Sequence, residues 1–268
     1  MLKINDDEFN AITNFIKSNY GVDLHKKRAL IEGRLGNYIP GLGFKNYMDY
    51  FEFAKNDGSG EELVSLLNRL TTNHTYFMRE REHFDFYENA ILPWIDRELH
   101  SKDLRVWCAG CSTGQEPYTL ALLTFEYLAS AAAAWEHTIL ASDLSNKALD
   151  IAKKGLYPKS DLEKMPAEWV KKYFVSHDEN MFSVSDKLKK SLAFRRFNLL
   201  DRFSFRQPFQ AIFCRNVMIY FDIPTKNTLI NKFYDVLLPG GFLLIGQSES
   251  LSSCTHKFRY VMPSVYQK

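Results

Sequence analysis

The chain has 268 residues, 46% of them hydrophobic and 25% charged, with a formal net charge of +2. That is the profile of a soluble globular protein, long for one compact domain and comfortable for two unequal ones. It does not argue for a polyanion partner, and no apolar run approaches the roughly 20 residues of a membrane helix.

The N-terminus carries Asp6, Asp7 and Glu8 and no apolar signal region, so the expected compartment is the cytoplasm. Residues 1–70 read as helices only. Asn5 and Glu8 have capping-box spacing ahead of Phe9, Ile12, Phe15 and Ile16, and Gly21 is a stop. Leu24, Leu30, Ile31 and Leu35 give a second helix, Tyr47, Tyr50, Phe51 and Ala54 a third, and Leu63, Leu66, Leu67 and Leu70 a fourth. These stripes are read as core. Residues 71–98 form a linker and a connecting helix, and residues 99–268 change character. Short apolar runs at Leu104–Ala109, Thr138–Ser142, Leu192–Phe197, Gln210–Cys214 and Phe242–Gly246 alternate with helical stretches near Pro117–Leu128, Lys147–Lys154 and Pro224–Leu237. Strand alternating with helix predicts an α/β fold: a doubly wound, mostly parallel sheet carrying a small all-α N-terminal domain.

The strongest local signal runs from Val106 to Pro117, where a strand enters a turn holding Gly110 and Gly114 and a helix opens near Pro117. Such a turn in the first βα unit is where doubly wound folds bind nucleotides. It is neither G-x-G-x-x-G nor a phosphate loop, and Glu116 puts negative charge where a pyrophosphate would sit. The ligand is therefore read as cationic or zwitterionic, as S-adenosylmethionine is. Asp143 ends the next strand and suits the two ribose hydroxyls, the alternative being a helix N-cap. Asn198 and Asn216 follow two further strands. Asn198 suits an adenine edge and Asn216 an amino-acid end, and either can instead be a turn residue. Cys108 and Cys111 form a C-x-x-C with no second pair, so no metal site is expected. The segment Thr71–Glu80 is too aromatic and polar for a plain linker and reads as a lid. In it Arg79 is placed to pair with a carboxylate of cofactor or substrate, or with a surface partner.

Together these pieces resemble the chemotaxis receptor glutamate methyltransferases, the CheR family, over nearly the whole chain. The resemblance rests on Asn73-x-Thr75-x-Phe77-x-Arg79-Glu80, on Trp107–Tyr118, on Ala141-Ser142-Asp143 and on Asn198-Leu199. It rests also on Arg215–Phe221, Leu238-Pro239-Gly240-Gly241 and Gly246-x-Ser248-Glu249. It implies a class I methyltransferase that esterifies glutamate side chains on the cytoplasmic helical region of chemoreceptors. S-adenosylmethionine would be the donor and S-adenosylhomocysteine the product. It implies cofactor contacts at Asn73, Thr75, Arg79, Glu116, Asp143, Asn198, Leu199, Arg215 and Asn216, with Gly110 in the turn and Arg79 and Tyr220 nearest the methyl group. No general base is needed, because a glutamate near pKa 4.3 is already ionised at neutral pH.

The resemblance also implies substrate docking through a basic second helix, here Lys26, Lys27, Arg28 and Arg34. Yet residues 1–70 hold nine Lys/Arg against ten Asp/Glu, and Gly36–Pro40 stands where more arginines are typical. It implies a short antiparallel β-subdomain at about 173–197. Val175–Asn180 is short and lacks glycine there, so no dependence on a receptor C-terminal peptide tether is expected. Nor are nucleic-acid binding or membrane insertion, and a monomer is the default. The competing readings are an RNA or small-molecule methyltransferase, an idle cofactor-sensing domain and an NAD-dependent oxidoreductase. The first draws on a local excess of five positive charges over residues 186–206, and the last is disfavoured by Glu116.

Overall fold

The structure, a computed structural model, describes residues 1–71, 74–98 and 102–268. The helical N-terminal part comprises α1 (Asp6–Tyr20), α2 (Arg28–Leu35), α3 (Tyr38–Gly41), α4 (Tyr47–Asn56) and α5 (Glu61–Leu70). The Asn5/Glu8 capping box forms, with Glu8 N–H donating to Asn5 at 2.9 Å and Asn5 N–H to Glu8 at 3.0 Å. Gly21 ends α1 in the left-handed conformation at φ 76°. The second helix starts later than its apolar pattern predicts. Residues 22–25 are spent on a bridge from Val22 to Phe221 and a turn in which Asp23 accepts from His25 N–H. The apolar stripes of α1, α2, α4 and α5 close on one core that includes Ile12, Ile31, Tyr47, Leu66 and Leu70.

One long helix was expected near residues 81–99. It forms as α6 (Arg81–Phe86), a π-helical turn (Tyr87–Ile91) and α7 (Leu92–Glu98). Pro93 lacks the N–H that would bond back to residue 89, and a widened turn precedes it. The C-terminal part then runs β1 (Asp103–Ala109), α8 (Gln115–Leu128), β2 (Glu136–Asp143), α9 (Asn146–Lys154), β3 (Leu156–Pro158), α10 (Ala167–Tyr173), β4 (Phe174–Ser176), β5 (Met181–Val184), α11 (Asp186–Lys190), β6 (Leu192–Arg196), β7 (Phe209–Cys214), α12 (Ile223–Val236), β8 (Leu237–Ile245), β9 (Arg259–Met262) and β10 (Val265–Gln267).

Seven strands form one sheet in the order β6-β2-β1-β7-β8-β10-β9, with β6 through β8 parallel and β10 and β9 antiparallel. The strand order reverses between β1 and β7, the switch point where a ligand crevice opens at the carboxyl ends of the strands. One face of the sheet buries Val106, Ala141, Phe213 and Leu244 beneath α6–α8. The other face packs Trp107, Ile212 and Leu243 against α12. Trp107 is fully buried, donates to Ser142 Oγ at 2.9 Å and lies against Phe197, Phe203, Phe205, Phe209 and Phe233.

The small sheet, in the order β3-β5-β4, is antiparallel as expected but spans Leu156–Val184 rather than about 173–197. Its first strand is three residues ending in proline, too short for a pattern signal. The residues after Leu192 belong instead to β6, paired with β2 through Ile139↔Leu192.

Candidate active site

A cavity of about 470 Å³ opens over the carboxyl ends of β1, β2, β6 and β7, a volume suited to a ligand of nucleoside size. Thr75, Arg79, Gly110, Glu116, Asp143, Asn198, Leu199, Arg215, Asn216 and Tyr220 all line it, so the structure brings these expected site residues together. Asn73 lies outside the described residues. The N-terminal domain roofs the cavity with Tyr20, Val22, Leu67 and Asn68.

The floor is the turn after β1. Gly110 and Cys111 N–H donate to Ser142 O at 2.8 and 2.9 Å, which locks the turn to β2. Gly110 has φ 95°, and a Cβ there would stand 2.5 Å from Val217 Cγ2. At Gly114, with φ 98°, it would stand 2.8 Å from both Ala152 Cβ and the Tyr157 hydroxyl. Glycine is therefore required at both places by conformation and by space.

Asp143 accepts Ser112 N–H at 2.8 Å on one oxygen and Ser145 N–H at 2.9 Å on the other. It is not the cap of α9: that role falls to Ser145, whose hydroxyl accepts from Ala148 N–H. Burial pushes the Asp143 carboxyl above the ordinary range, opposed by these backbone donors. A half-buried carboxylate facing a cavity gains from a ligand that brings more donors, such as a vicinal diol.

Arg215 is nearly inaccessible and sits between two acids. Its Nη1 donates to Glu116 Oε2 at 2.7 Å, and its Nη2 to Glu80 Oε2 at 3.0 Å. Its guanidinium also lies 5.1 Å from the Phe84 ring centroid. Glu116 takes a further donor from Cys108 Sγ at 2.8 Å. Burial pushes the Cys108 and Cys111 thiols well up, so both are neutral, weakly reactive groups. Arg79 lines the cavity, with its guanidinium bonded to His74 O and 4.0 Å from Glu80. The described end of the segment expected to be a lid, residues 74–80, is anchored. Phe77 and Met78 are buried, and the Phe77 ring meets Tyr157 edge-on at 5.0 Å.

The two asparagines do double duty. Asn198 donates to Asn19 O at 2.9 Å across the domain boundary and accepts Leu200 N–H at 3.0 Å. Asn216 donates to Glu80 Oε1 at 3.1 Å. Asn198 is thus a turn residue, Asn216 is tied to a distant acid, and both line the cavity. Tyr220 packs on the N-terminal core, and its carbonyl accepts Asp23 N–H at 2.8 Å.

Lys26 and Lys27 are exposed, four and five residues beyond the Val22–Phe221 bridge. Arg28 and Arg34 are engaged within the N-terminal domain. Arg28 donates to Ile4 O at 2.7 Å and covers the Phe9 ring. Arg34 donates to Arg69 O and Thr71 O at the end of α5. Glu80, Ser112 and Glu249 were not singled out from sequence. All three sit inside the motifs quoted for the resemblance, and most of their partners lie far along the chain.

Two family models match this chain: the CheR methyltransferase all-alpha domain over residues 7–71, and the CheR methyltransferase SAM binding domain over residues 73–266. The chain belongs to the CheR methyltransferase family. A chemotaxis protein methyltransferase of Borreliella burgdorferi is 39% identical over 100% of this chain and 96% of its own length. One of Salmonella typhimurium is 33% identical over 99% and 91%. Chemotaxis protein methyltransferase 2 of Pseudomonas aeruginosa is 34% identical over 97% and 92%. The expected class I methyltransferase fold, the all-α N-terminal domain and the small antiparallel subdomain are all present. Among the described residues no helix is long and apolar enough to cross a membrane.

Proposed function

We propose that this methyltransferase converts glutamate side chains on the cytoplasmic helical region of chemoreceptors to methyl esters, and so sets receptor sensitivity. S-adenosylmethionine is its cofactor and S-adenosylhomocysteine its product. The observation that carries this reading is one cavity whose lining joins the glycine turn, Asp143 and the Glu116–Arg215 pair to Arg79 and Tyr220.

Bound S-adenosylmethionine supplies an activated methyl group on a cationic sulfur. Asp143, with each oxygen already oriented by a backbone N–H, would hold the ribose hydroxyls. Gly110 lets the backbone approach the ligand. Glu116 and Glu80 both pair with Arg215, and Glu80 also lies 4.0 Å from Arg79, so these four side chains balance one another's charge at the floor. Arg79 and Tyr220 would hold the incoming carboxylate, which arrives ionised, so alignment is the catalytic task.

Lys26 and Lys27 offer the exposed cations for an acidic helix, with Arg28 and Arg34 as the framework that holds α2 in place. The basic stretch 186–206 spends several charges on the fold. Lys187 lies over the Phe125 ring, Lys189 donates to Ser183, and Arg196 reaches Ser59 O across the domain boundary. The reading therefore has a cytoplasmic monomer acting on receptor protein, with no nucleic acid and no membrane insertion.

The β4–β5 hairpin closes through His177 and Asp178 N–H donating to Met181 O, with Asp178 also accepting Asn180 and Met181 N–H. That tight turn supports independence from a receptor C-terminal peptide. Calorimetry is expected to show no micromolar binding of such a peptide, and a micromolar isotherm would overturn this part of the reading.

The central test titrates S-adenosylhomocysteine into wild type and Asp143→Ala. Removing hydrogen bonds to a charged acceptor is expected to weaken binding by about 10- to 100-fold. A folded wild type that binds neither S-adenosylmethionine nor S-adenosylhomocysteine would sink the proposal.

A further inference from the structure

Behind the cavity, and outside its lining, two more carboxylates converge on the Arg215-Asn216 pair. Glu80 accepts from Arg215 Nε at 3.3 Å and Nη2 at 3.0 Å, from Asn216 Nδ2 at 3.1 Å and from Gln247 N–H at 3.1 Å. Glu249, itself buried, accepts Asn216 N–H at 2.9 Å and Gly246 N–H at 2.6 Å on one oxygen.

Asn216, which they hold, and Glu80 itself are strained. Asn216 has φ 58° and Glu80 φ 55°, both in the left-handed region that non-glycine residues seldom occupy. Strain of this kind persists only where the surroundings over-determine it, and here the surroundings are the two acids. Gly246 completes the fit, because a Cβ there would stand 2.4 Å from Asn216 Nδ2. Without Glu80, two of Arg215's donor groups would lose their acid partner in a buried place, and a half-paired buried charge is costly.

We infer that Glu80 and Glu249 are positioning residues for methyl transfer, holding Arg215 and Asn216 at the cofactor cavity while touching no ligand themselves. This rests on the cavity being the cofactor site. It adds that one acid comes from the segment before α6 and the other from the turn after β8, so the cofactor floor is locked from two distant parts of the chain.

The test uses the full chain and the variants Glu80→Gln, Glu249→Gln and Glu249→Leu. S-adenosylhomocysteine affinity is read by calorimetry and folding by thermal melts. Glu80→Gln turns an acceptor into a donor facing the Asn216 amide and is expected to weaken binding by about 10- to 100-fold with melting within a few degrees of wild type. Glu249→Gln keeps an oxygen for both N–H donors and should stay within about threefold, while Glu249→Leu should lose as much as Glu80→Gln. Failure of wild type to bind would remove the cofactor reading, and this inference with it. Normal binding by wild type, with unchanged affinity in Glu80→Gln or Glu249→Leu, would overturn the inference alone. Equal loss in Glu249→Gln and Glu249→Leu, or loss of the cooperative melt in Glu80→Gln, would also overturn it, the latter by making Glu80 a structural residue.

Discussion

At Gly110 the backbone conformation and the neighbouring side chain both exclude a methyl group, though they differ in how far each can yield. Val217 can turn a methyl away from the 2.5 Å contact, whereas φ 95° cannot be relieved without moving the turn. Gly110→Ala is therefore expected to lose about 1–3 kcal/mol of stability from backbone strain, read as a lower urea midpoint at unchanged slope. A midpoint equal to wild type would show that the turn can relax. At this scale much of the site was legible. Gly110, Glu116, Asp143, Arg215 and Asn216 follow strand runs, and residues at the carboxyl ends of parallel strands face one crevice. Glu80 and Glu249 were not legible as site residues because an acid's role as a clamp exists only once its partners arrive. For Glu80 those partners are Arg215, Asn216 and Gln247, well over a hundred positions away in sequence.

Between elements, α1 and α12 are tied at the domain boundary by Lys17, whose Nζ lies 2.7 Å from Asp222 and 3.6 Å from Asp23. The Lys17 hydrogen bond and the Thr225 donors pull the Asp222 carboxyl down to about 2. A depressed carboxyl contributes stability that is fully present above its unfolded value, near 3.8, and lost as pH falls through the folded value. Asp222→Asn keeps a good N-cap for α12 and removes only the charge. The stability difference between wild type and Asp222→Asn is thus expected to be constant from pH 7 to 5, to shrink below about pH 4 and to vanish only near pH 1, below both values. Urea unfolding across that range measures it, and a difference that does not shrink between pH 5 and pH 2 would contradict the assignment. The elements themselves were legible wherever they were long and periodic. β3 is three residues with a proline. In β8, Leu238–Gly241 loops out of the ladder, so that pairing jumps from Phe209↔Leu237 to Ala211↔Phe242. The Val22–Phe221 bridge joins two loops and carries no periodic signal.

Across the whole molecule, the cavity belongs to both domains: Tyr20, Val22, Leu67 and Asn68 roof it, and Tyr220 rests on the helical core with its carbonyl held by Asp23. A ligand bound there should stabilise the helical domain and the sheet together. The two can be watched separately, because all four tryptophans, Trp94, Trp107, Trp135 and Trp169, lie after the helical domain. Tryptophan fluorescence therefore follows the catalytic part alone, while far-ultraviolet circular dichroism also follows the N-terminal helices. At a hundred times its dissociation constant, S-adenosylhomocysteine adds about 2.7 kcal/mol to the folded state. For a chain of this size that raises the melting midpoint by roughly 5–10 °C. Both signals are expected to move by the same amount and to remain superimposed. If the fluorescence midpoint rises while a helical transition stays behind at its ligand-free temperature, the N-terminal domain is a docking unit only. The contacts from α1, α5 and Asp23 would then be no part of the cofactor site.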